Sequence, residues 1–451
     1  MKPGALALRV LEPGLLAMVV VLIAGCDSNP SAPDDGAIAF SAGGIPGPPS
    51  NIIIPRIGPP PRVPVPLPPH AGPPSFLASM VAVGTGIDFS CALRSDGVAF
   101  CWGGNSGGRL GDGTTNPSTI PVEVSTAVPF ARLFVGDEIA CGLDATGQAY
   151  CWGANSAGQL GAGIPQGVPS TVPTSVAAPF LFTEMSLGLR SSCGMAIVGL
   201  AYCWGGNLFG ELGVGLPAGL GTTVPLPVVD GATFGLFAVN NGFVTTCGLG
   251  TGNAVFCWGR DLGTFGNGTA GAGSLTPVLA ASGMPFASLE VGGLYACGLD
   301  SAGQAYCWGQ RNISGELGIG SLANPVTVPT PVVGGHRFVS IDTDDTNRSF
   351  KNTCALTTAG DAWCWGINNL GQLGAPSTEV CPFTGFACSS SPVPVSGGIQ
   401  FSQIAVGGDH VCGLATTGAV YCWGGNAFGQ LGDGTVTNRS VPTPVRLVNL
   451  P

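Results

Sequence analysis

Apolar and polar residues alternate over Phe401-Ser402-Gln403-Ile404-Ala405-Val406, the two-residue period of a strand with one face against a core. Gly407-Gly408 breaks the run, and Val411-Cys412-Gly413-Leu414 starts a second strand. Thr417-Gly418 turns the chain, and Ala419-Val420-Tyr421-Cys422-Trp423 brings it back. A glycine-rich loop, Gly424 to Gly432, leads to an extended segment from Val441 to Val448. Pro442 and Pro444 in that segment fit an edge strand, because proline donates no ladder hydrogen bond. The pattern predicts four short strands per unit.

The unit recurs. Seven times a Cys is followed, after nine residues, by Cys-Trp-Gly. The pairs are Cys91 with Cys101, Cys141 with Cys151, Cys193 with Cys203, Cys247 with Cys257, Cys297 with Cys307, Cys354 with Cys364, and Cys412 with Cys422. The Trp residues of these motifs follow one another at 50, 52, 54, 50, 57 and 58 residues. Self-similarity at that period marks one supersecondary unit repeated. Seven units of four strands predict an all-β, seven-bladed β-propeller over residues 76–451. Ring closure leaves no open end to cap, and the closing contact is expected between 76–83 and 444–448.

The string GGDHVCGLATTGAVYCWGGNAFGQLGDGT resembles the regulator of chromosome condensation repeat. Related strings are SCALRSDGVAFCWGGN, ACGLDATGQAYCWGAN, SCGMAIVGLAYCWGGN, ACGLDSAGQAYCWG and TCALTTAGDAWCWGIN. The resemblance covers roughly residues 76–450 and implies the same seven-bladed propeller. The His of the family pattern stands only at His410; Phe89, Ile139, Ser191, Thr245, Tyr295 and Asn352 lie near that slot elsewhere. The fourth repeat departs further, with Asp261 for Asn and Phe265 for Leu. The namesake acts on a nuclear small GTPase and binds chromatin. No residue matched here carries those roles, and they are not transferred.

Charged residues are only 9% of the chain, the net charge is −10, and Gly (75) and Pro (39) are abundant. From Phe76 onward lie 11 of the 15 basic and 21 of the 25 acidic residues. Nucleic-acid binding needs clustered Lys and Arg to displace counterions, and the only lysines are Lys2 and Lys351. DNA and RNA are therefore not expected partners.

The first 26 residues read as a lipoprotein signal peptide. Lys2 and Arg9 precede an apolar run, Leu15 to Ala24, which is shorter than the roughly 20 residues that span a bilayer. Ile23-Ala24-Gly25-Cys26 resembles the bacterial lipobox, which implies lipidation at Cys26. Residues 27–75 read as a disordered tether, with 13 prolines from Pro46 to Pro74. The expected location is the extracytoplasmic side of a bacterial cell envelope, with the membrane left open between inner and outer.

In that context the other 16 cysteines argue for eight disulfides. Seven come from the repeat pairs, and Cys381 with Cys388 supplies the eighth, inside an insertion of the sixth repeat. A three-residue turn at 95–97 places Cys91 directly opposite Cys101 on a hairpin. Zinc is not expected, because its Cys pairs sit two to four residues apart with His or Cys partners nearby.

Trp-Gly-x-Asn and Gly-Gln-Leu-Gly recur in most repeats and read as turn and packing devices, with Asn105, Asn155, Asn207, Asn368 and Asn426 bonding local backbone. Asp342 to Asn347 spaces oxygen donors as a Ca²⁺ loop would, but the usual Gly and distal Glu are missing, so a solvated acidic loop is expected. No cofactor or metal is expected. No nucleophile elbow or phosphate loop appears, and His70, His336 and His410 are the only histidines.

The loops before the first Cys of each pair vary and should converge on one face. The binding candidates there are Phe89, Asp137, Glu138, Arg190, Phe243, Tyr295, Arg348, Phe350, Lys351 and His410. Phe383 and Phe386 on the loop between Cys381 and Cys388 are added as a second surface. The reading is a non-enzymatic, monomeric, lipid-anchored scaffold for a protein or glycan. A polysaccharide hydrolase or lyase using carboxylates brought together across blades is the alternative, and a structural envelope component a further one.

Overall fold

The computed structural model describes residues 79–231, 238–242, 244–271, 273–344, 351–377 and 379–446. The expected signal peptide, Cys26 and tether lie outside them, as do Phe243, Arg348 and Phe350.

Seven antiparallel sheets follow one another along the chain, at 80–123, 132–175, 182–227, 238–279, 288–331, 338–394 and 401–444. Six have four strands in sequence order; the sixth blade gains a fifth, Glu379–Val380, paired on the outer side of Ala387–Pro394. The first strands of successive blades pack against each other around the axis, which makes the molecule a seven-bladed propeller.

Each central hairpin has the register that the Cys spacing demands. Cys91 is opposite Cys101, Phe89 opposite Gly103 and Ser90 opposite Trp102, and the same register holds in the other six blades. The facing cysteines are joined as disulfides in every blade. Cys91 bonds Cys101, Cys141 bonds Cys151, Cys193 bonds Cys203, and Cys247 bonds Cys257. Cys297 bonds Cys307, Cys354 bonds Cys364, and Cys412 bonds Cys422. Their Cα atoms are 4.0–4.1 Å apart, and all fourteen cysteines are buried. Cys381 and Cys388 form the eighth bridge, with Cα atoms 5.9 Å apart.

The hairpin turns also carry the blade-to-blade joints. Gly97 has φ +90°, and a Cβ there would lie 2.8 Å from Pro129 Cβ and 3.0 Å from Phe130 O. Only glycine tolerates both that backbone and that approach. Its carbonyl accepts Phe130 N at 2.8 Å, so the second blade starts on the turn of the first. Gly147 with Phe182, Gly303 with Phe338, and Gly360 with Phe401 repeat the arrangement.

Ring closure uses the same joint: Met80 N donates to Gly418 O at 3.2 Å. The Gln403 side chain adds a two-way bridge, donating to Val83 O (2.9 Å) and accepting from Val83 N (3.1 Å). Met80, Val83 and Trp102 share one buried cluster with Ala405, Leu414, Leu431 and Val445. The expected closure between 76–83 and 444–448 is thus made by packing within 80–83 and at Val445. No closing strand is shared: the first strand of blade one pairs only with its own neighbour among the described residues.

The core consequently lies between blades. Phe89, Leu93 and Leu110 of blade one enclose Trp152 and Phe130 of blade two. The seven motif tryptophans are fully buried. Each removes roughly 200 Å² from water, a gross gain of about 5 kcal/mol.

Candidate functional site

Each motif Trp reaches back to the preceding blade. Trp152 Nε1 donates to Arg109 O (3.1 Å), Trp204 to Gln159 O (2.9 Å), Trp308 to Thr264 O (2.8 Å) and Trp102, across the closure, to Gln430 O (2.9 Å). The acceptor is always the residue before the Leu of the Gly-x-Leu-Gly turn, or before Phe265 in the fourth blade. The second glycine of that turn sits under the indole; at Gly111, φ is +68° and a Cβ would meet Trp152 Nε1 at 2.7 Å. Asn105 ties the same loop, accepting from Leu110 N (2.9 Å) and donating to Asn116 O (2.9 Å). Asn155, Asn207, Asn368 and Asn426 also accept from the Leu amide. So does Asn312, which the motif spacing hides because the fifth repeat carries an extra residue before it. These motifs assemble blades and present no open chemistry.

Five of the expected binding residues are core instead. Phe89, Asp137, Tyr295, Lys351 and His410 are all buried. Phe89, Tyr295 and His410 occupy the hairpin position opposite the Gly of Trp-Gly, and that position points toward neighbouring chain rather than solvent. Tyr295 Oη donates to Asn352 O at 3.0 Å in the next blade, and His410 Nε2 lies 2.7 Å from Ser90 Oγ across the closure. The Ser90–His410 contact resembles half a hydrolytic dyad, but the Ser90 hydroxyl already donates to Gln430 O at 2.9 Å. Ser192, Thr246 and Thr353 make the same bond to Gln159, Glu211 and Glu316, so this is a packing position.

Glu138 and Arg190 do reach the surface. Glu138 is half-buried and pairs with Arg109 at 3.4 Å. The Cys381–Cys388 hairpin is the more exposed feature: Phe383 is 71%, Val380 66% and Phe386 41% exposed. Its turn is held by Cys381 N donating to Phe386 O (2.9 Å) and Gly385 N donating to Cys381 O (2.8 Å), besides the disulfide.

Of the expected solvated acidic loop, Asp345, Thr346 and Asn347 lie outside the described residues, while Asp342 is half-buried and Asp344 belongs to a buried charge cluster near the axis. Gly86, Gly136, Gly188, Gly242, Gly292 and Gly407 close the first strand of six blades, each donating to the carbonyl that begins the second strand. In the sixth blade Asp344 takes that place, donating to Asn352 O. Asp344 and Lys351 are buried and paired, Nζ to Oδ1, at 3.0 Å. Asp342 Oδ2 accepts Val406 N at 2.7 Å, and burial pushes its carboxyl up to about 7.

Asp137 enters this cluster from the second blade. Its carboxylate oxygens are buried and without a hydrogen-bond partner among the described residues. Burial raises Asp137 to about 7; Lys351 pulls that value down, while Asp344 and Glu138 push it up. Burial and the Asp344 charge also hold the Tyr295 phenol well above its ordinary range. The sequence carries a signal for the cluster: one acidic residue at a position that is glycine in the other six repeats. Among the described residues no three His, Cys, Asp or Glu side chains are placed to hold a metal ion.

Seven blades joined by a Trp into the preceding Gly-x-Leu-Gly turn define a closed propeller of one repeated unit. Regulator of chromosome condensation (RCC1) repeat profiles match residues 80–109, 130–159 and 401–430, and 96–143, 146–194, 359–414 and 417–450. The chain carries repeats of the RCC1 family over residues 80–194 and 359–450.

The ultraviolet-B receptor UVR8 of Arabidopsis thaliana is similar, 28% identical over 198 residues, or 43% of this chain and 42% of that protein. The probable E3 ubiquitin-protein ligase HERC4 of Rattus norvegicus is 38% identical over 97 residues, 21% of this chain. That match spans only 8% of HERC4. Among solved structures, Prp20p of Saccharomyces cerevisiae, described with its binding to Gsp1p and histones, superimposes with a TM-score of 0.66 at 19% identity. It covers 82% of this chain and 88% of its own. Human WBSCR16 gives a TM-score of 0.66 at 18% identity, covering 78% of this chain and 94% of its own. At these identities the structural likeness shows the fold.

Proposed function

We propose that the chain is a non-enzymatic scaffold that binds an extracytoplasmic protein, anchored to the cell envelope by lipid on Cys26 and held off the membrane by residues 27–75. One observation carries the binding reading: the stapled hairpin on blade six, which holds Val380, Phe383 and Phe386 in solvent on a preformed turn. Aromatic side chains on a fixed backbone lose little entropy on docking, which is what makes them anchors. Glu138 and Arg190 supply polar contacts on the loop face. The family is one of interaction propellers, and Prp20p, with its reported binding to Gsp1p and histones, is consistent with this use of the fold.

The hydrolase alternative needed carboxylates meeting at an open mouth. Asp137 and Asp344 do influence each other electrostatically, but both are buried, as is the Lys351 that pairs with Asp344, so a sugar has no access to either. The test is capture from native envelope with the oxidised full chain as bait, beside F383S/F386S. A saturable partner held by the parent and lost by the double variant supports the reading. Equal recovery by both baits removes the hairpin as the binding surface, and no saturable partner at all removes the scaffold.

A further inference from the structure

The buried triad at the axis has a composition that binding does not explain. A Lys and an Asp lie at 3.0 Å in a solvent-free site, and a third carboxyl, with no hydrogen bond of its own among the described residues, faces both electrostatically. Two ions in a low-dielectric interior carry a large desolvation penalty that their mutual attraction offsets only in part. A reaction that removes both charges removes that penalty.

We propose that Lys351 and Asp344 condense spontaneously into an intramolecular amide bond, with the Asp137 carboxyl moving the protons. The inference is independent of the partner-binding reading.

The steps balance without an oxidant or an outside reagent. One ammonium proton passes from Lys351 to the Asp344 carboxylate within the ion pair, leaving amine and acid. The Nζ lone pair attacks Cγ of Asp344. Asp137, directly or through one water, gives a proton to the departing hydroxyl and recovers one from the nitrogen. The C–N bond forms, a C–O bond breaks, water leaves, and Asp137 ends as it began. The raised value of Asp137 keeps part of this carboxyl protonated near neutral pH, as the role requires. Proximity supplies the rest: the reacting groups are held in contact by two strands of one sheet, Phe338–Thr343 and Asn352–Thr357, just beyond whose facing ends they stand. The product would close a covalent ring over the segment between Asp344 and Lys351, on the blade where Asp replaces Gly.

Intact mass spectrometry of the purified, oxidised full chain, with its disulfides counted, tests this. The expected result is a loss of about 18 Da beyond the disulfide hydrogens. Cleavage after Arg348, which lies between the two residues in sequence, should then yield a branched peptide joining the Asp344 and Lys351 fragments. D344N should reach the same final mass by losing ammonia, about 17 Da. K351R, whose guanidinium is not a nucleophile, should keep its full mass. D137N should accumulate unreacted chain. Near-UV circular dichroism and the disulfide count show that each variant has folded. A folded parent at full mass overturns the proposal, as does a water loss that survives in K351R or maps elsewhere. Parent-like conversion in D137N overturns the role of Asp137.

Discussion

Replacing Trp152 by Phe should destabilise the propeller more than the same change at Trp204. Both indoles are buried and both lie beside a Phe ring, Phe130 at 5.8 Å and Phe182 at 5.7 Å. Both donate to the preceding blade, Trp152 to Arg109 O and Trp204 to Gln159 O. The lost volume and the lost indole bond are therefore common to the two variants and cancel in the comparison. What differs is the carbonyl left behind. Gln159 O keeps the Ser192 hydroxyl at 2.9 Å, whereas Ala140 stands at that position for Arg109 O, which has no second donor among the described residues. A buried carbonyl stripped of its last partner costs about 1–3 kcal/mol. W152F should thus cost about that much more than W204F in urea unfolding with disulfides intact. S192A alone should be mild, because Trp204 still serves the carbonyl. S192A/W204F should exceed the sum of its parts by about 1–3 kcal/mol. Equal losses in the two Trp variants, or an additive double variant, would refute the shared-acceptor argument.

Removing one hairpin bridge as C91S/C101S should cost about 2–3 kcal/mol in the same assay, the loop-closure entropy of a short ring; a loss near zero would show that the neighbouring ladder already fixes the register. Asp137 and Asp342 hold carboxyls raised to about 7, so the folded chain binds protons that the unfolded chain has released above about pH 4. Their contribution is present at low pH and is lost as pH rises through 7, so D137N should gain on the parent between pH 5 and pH 8 in urea midpoints; a constant difference would remove Asp137 as a titrating group. C26S should move the protein from the membrane fraction to the soluble one, and retention in membranes would reject the lipid anchor.

The fold was legible because the repeat writes it seven times. The ten-residue step from Cys91 to Cys101, repeated from Cys141 to Cys151 and onward to the last blade, fixes both the hairpin register and the disulfide. Trp-Gly with Gly-x-Leu-Gly fixes where one blade meets the next. Closure was harder to read. The sequence places 80–83 and Val445 near one another, but it does not say that the chain closes by the same Gly-to-strand joint as four of the other interfaces, with Gln403 adding a side-chain bridge to the backbone of Val83. The fifth strand of blade six was hidden because Glu379–Val380 is too short to show a period.

Variation among repeats is a poor guide to a binding face here, and the reason is geometric. The slot held by Phe89, Ile139, Ser191, Thr245, Tyr295, Asn352 and His410 changes from blade to blade while remaining buried throughout. Three side chains there answer to the next blade, His410 to Ser90, Tyr295 to Asn352 and Thr353, and Ser191 to Asn241 at 3.3 Å, while Thr245 bonds Arg260 O and Thr264 within its own. Each pair must fit its partner and need not match the other pairs, so the slot diversifies as a core does. Ligand-reading positions vary too, and sequence alone does not separate the two cases. Exposure does separate them, and among the described residues it leaves the stapled hairpin of blade six, with Glu138 and Arg190 on the loop face, as the sequence-named positions able to meet a partner. The buried positions that differ without an obvious packing need are then the informative remainder. Asp344 is the clearest of them, since glycine suffices in the other six blades, and an ion pair with Lys351 beside the buried Asp137 carboxyl is more polarity than a closed ring requires.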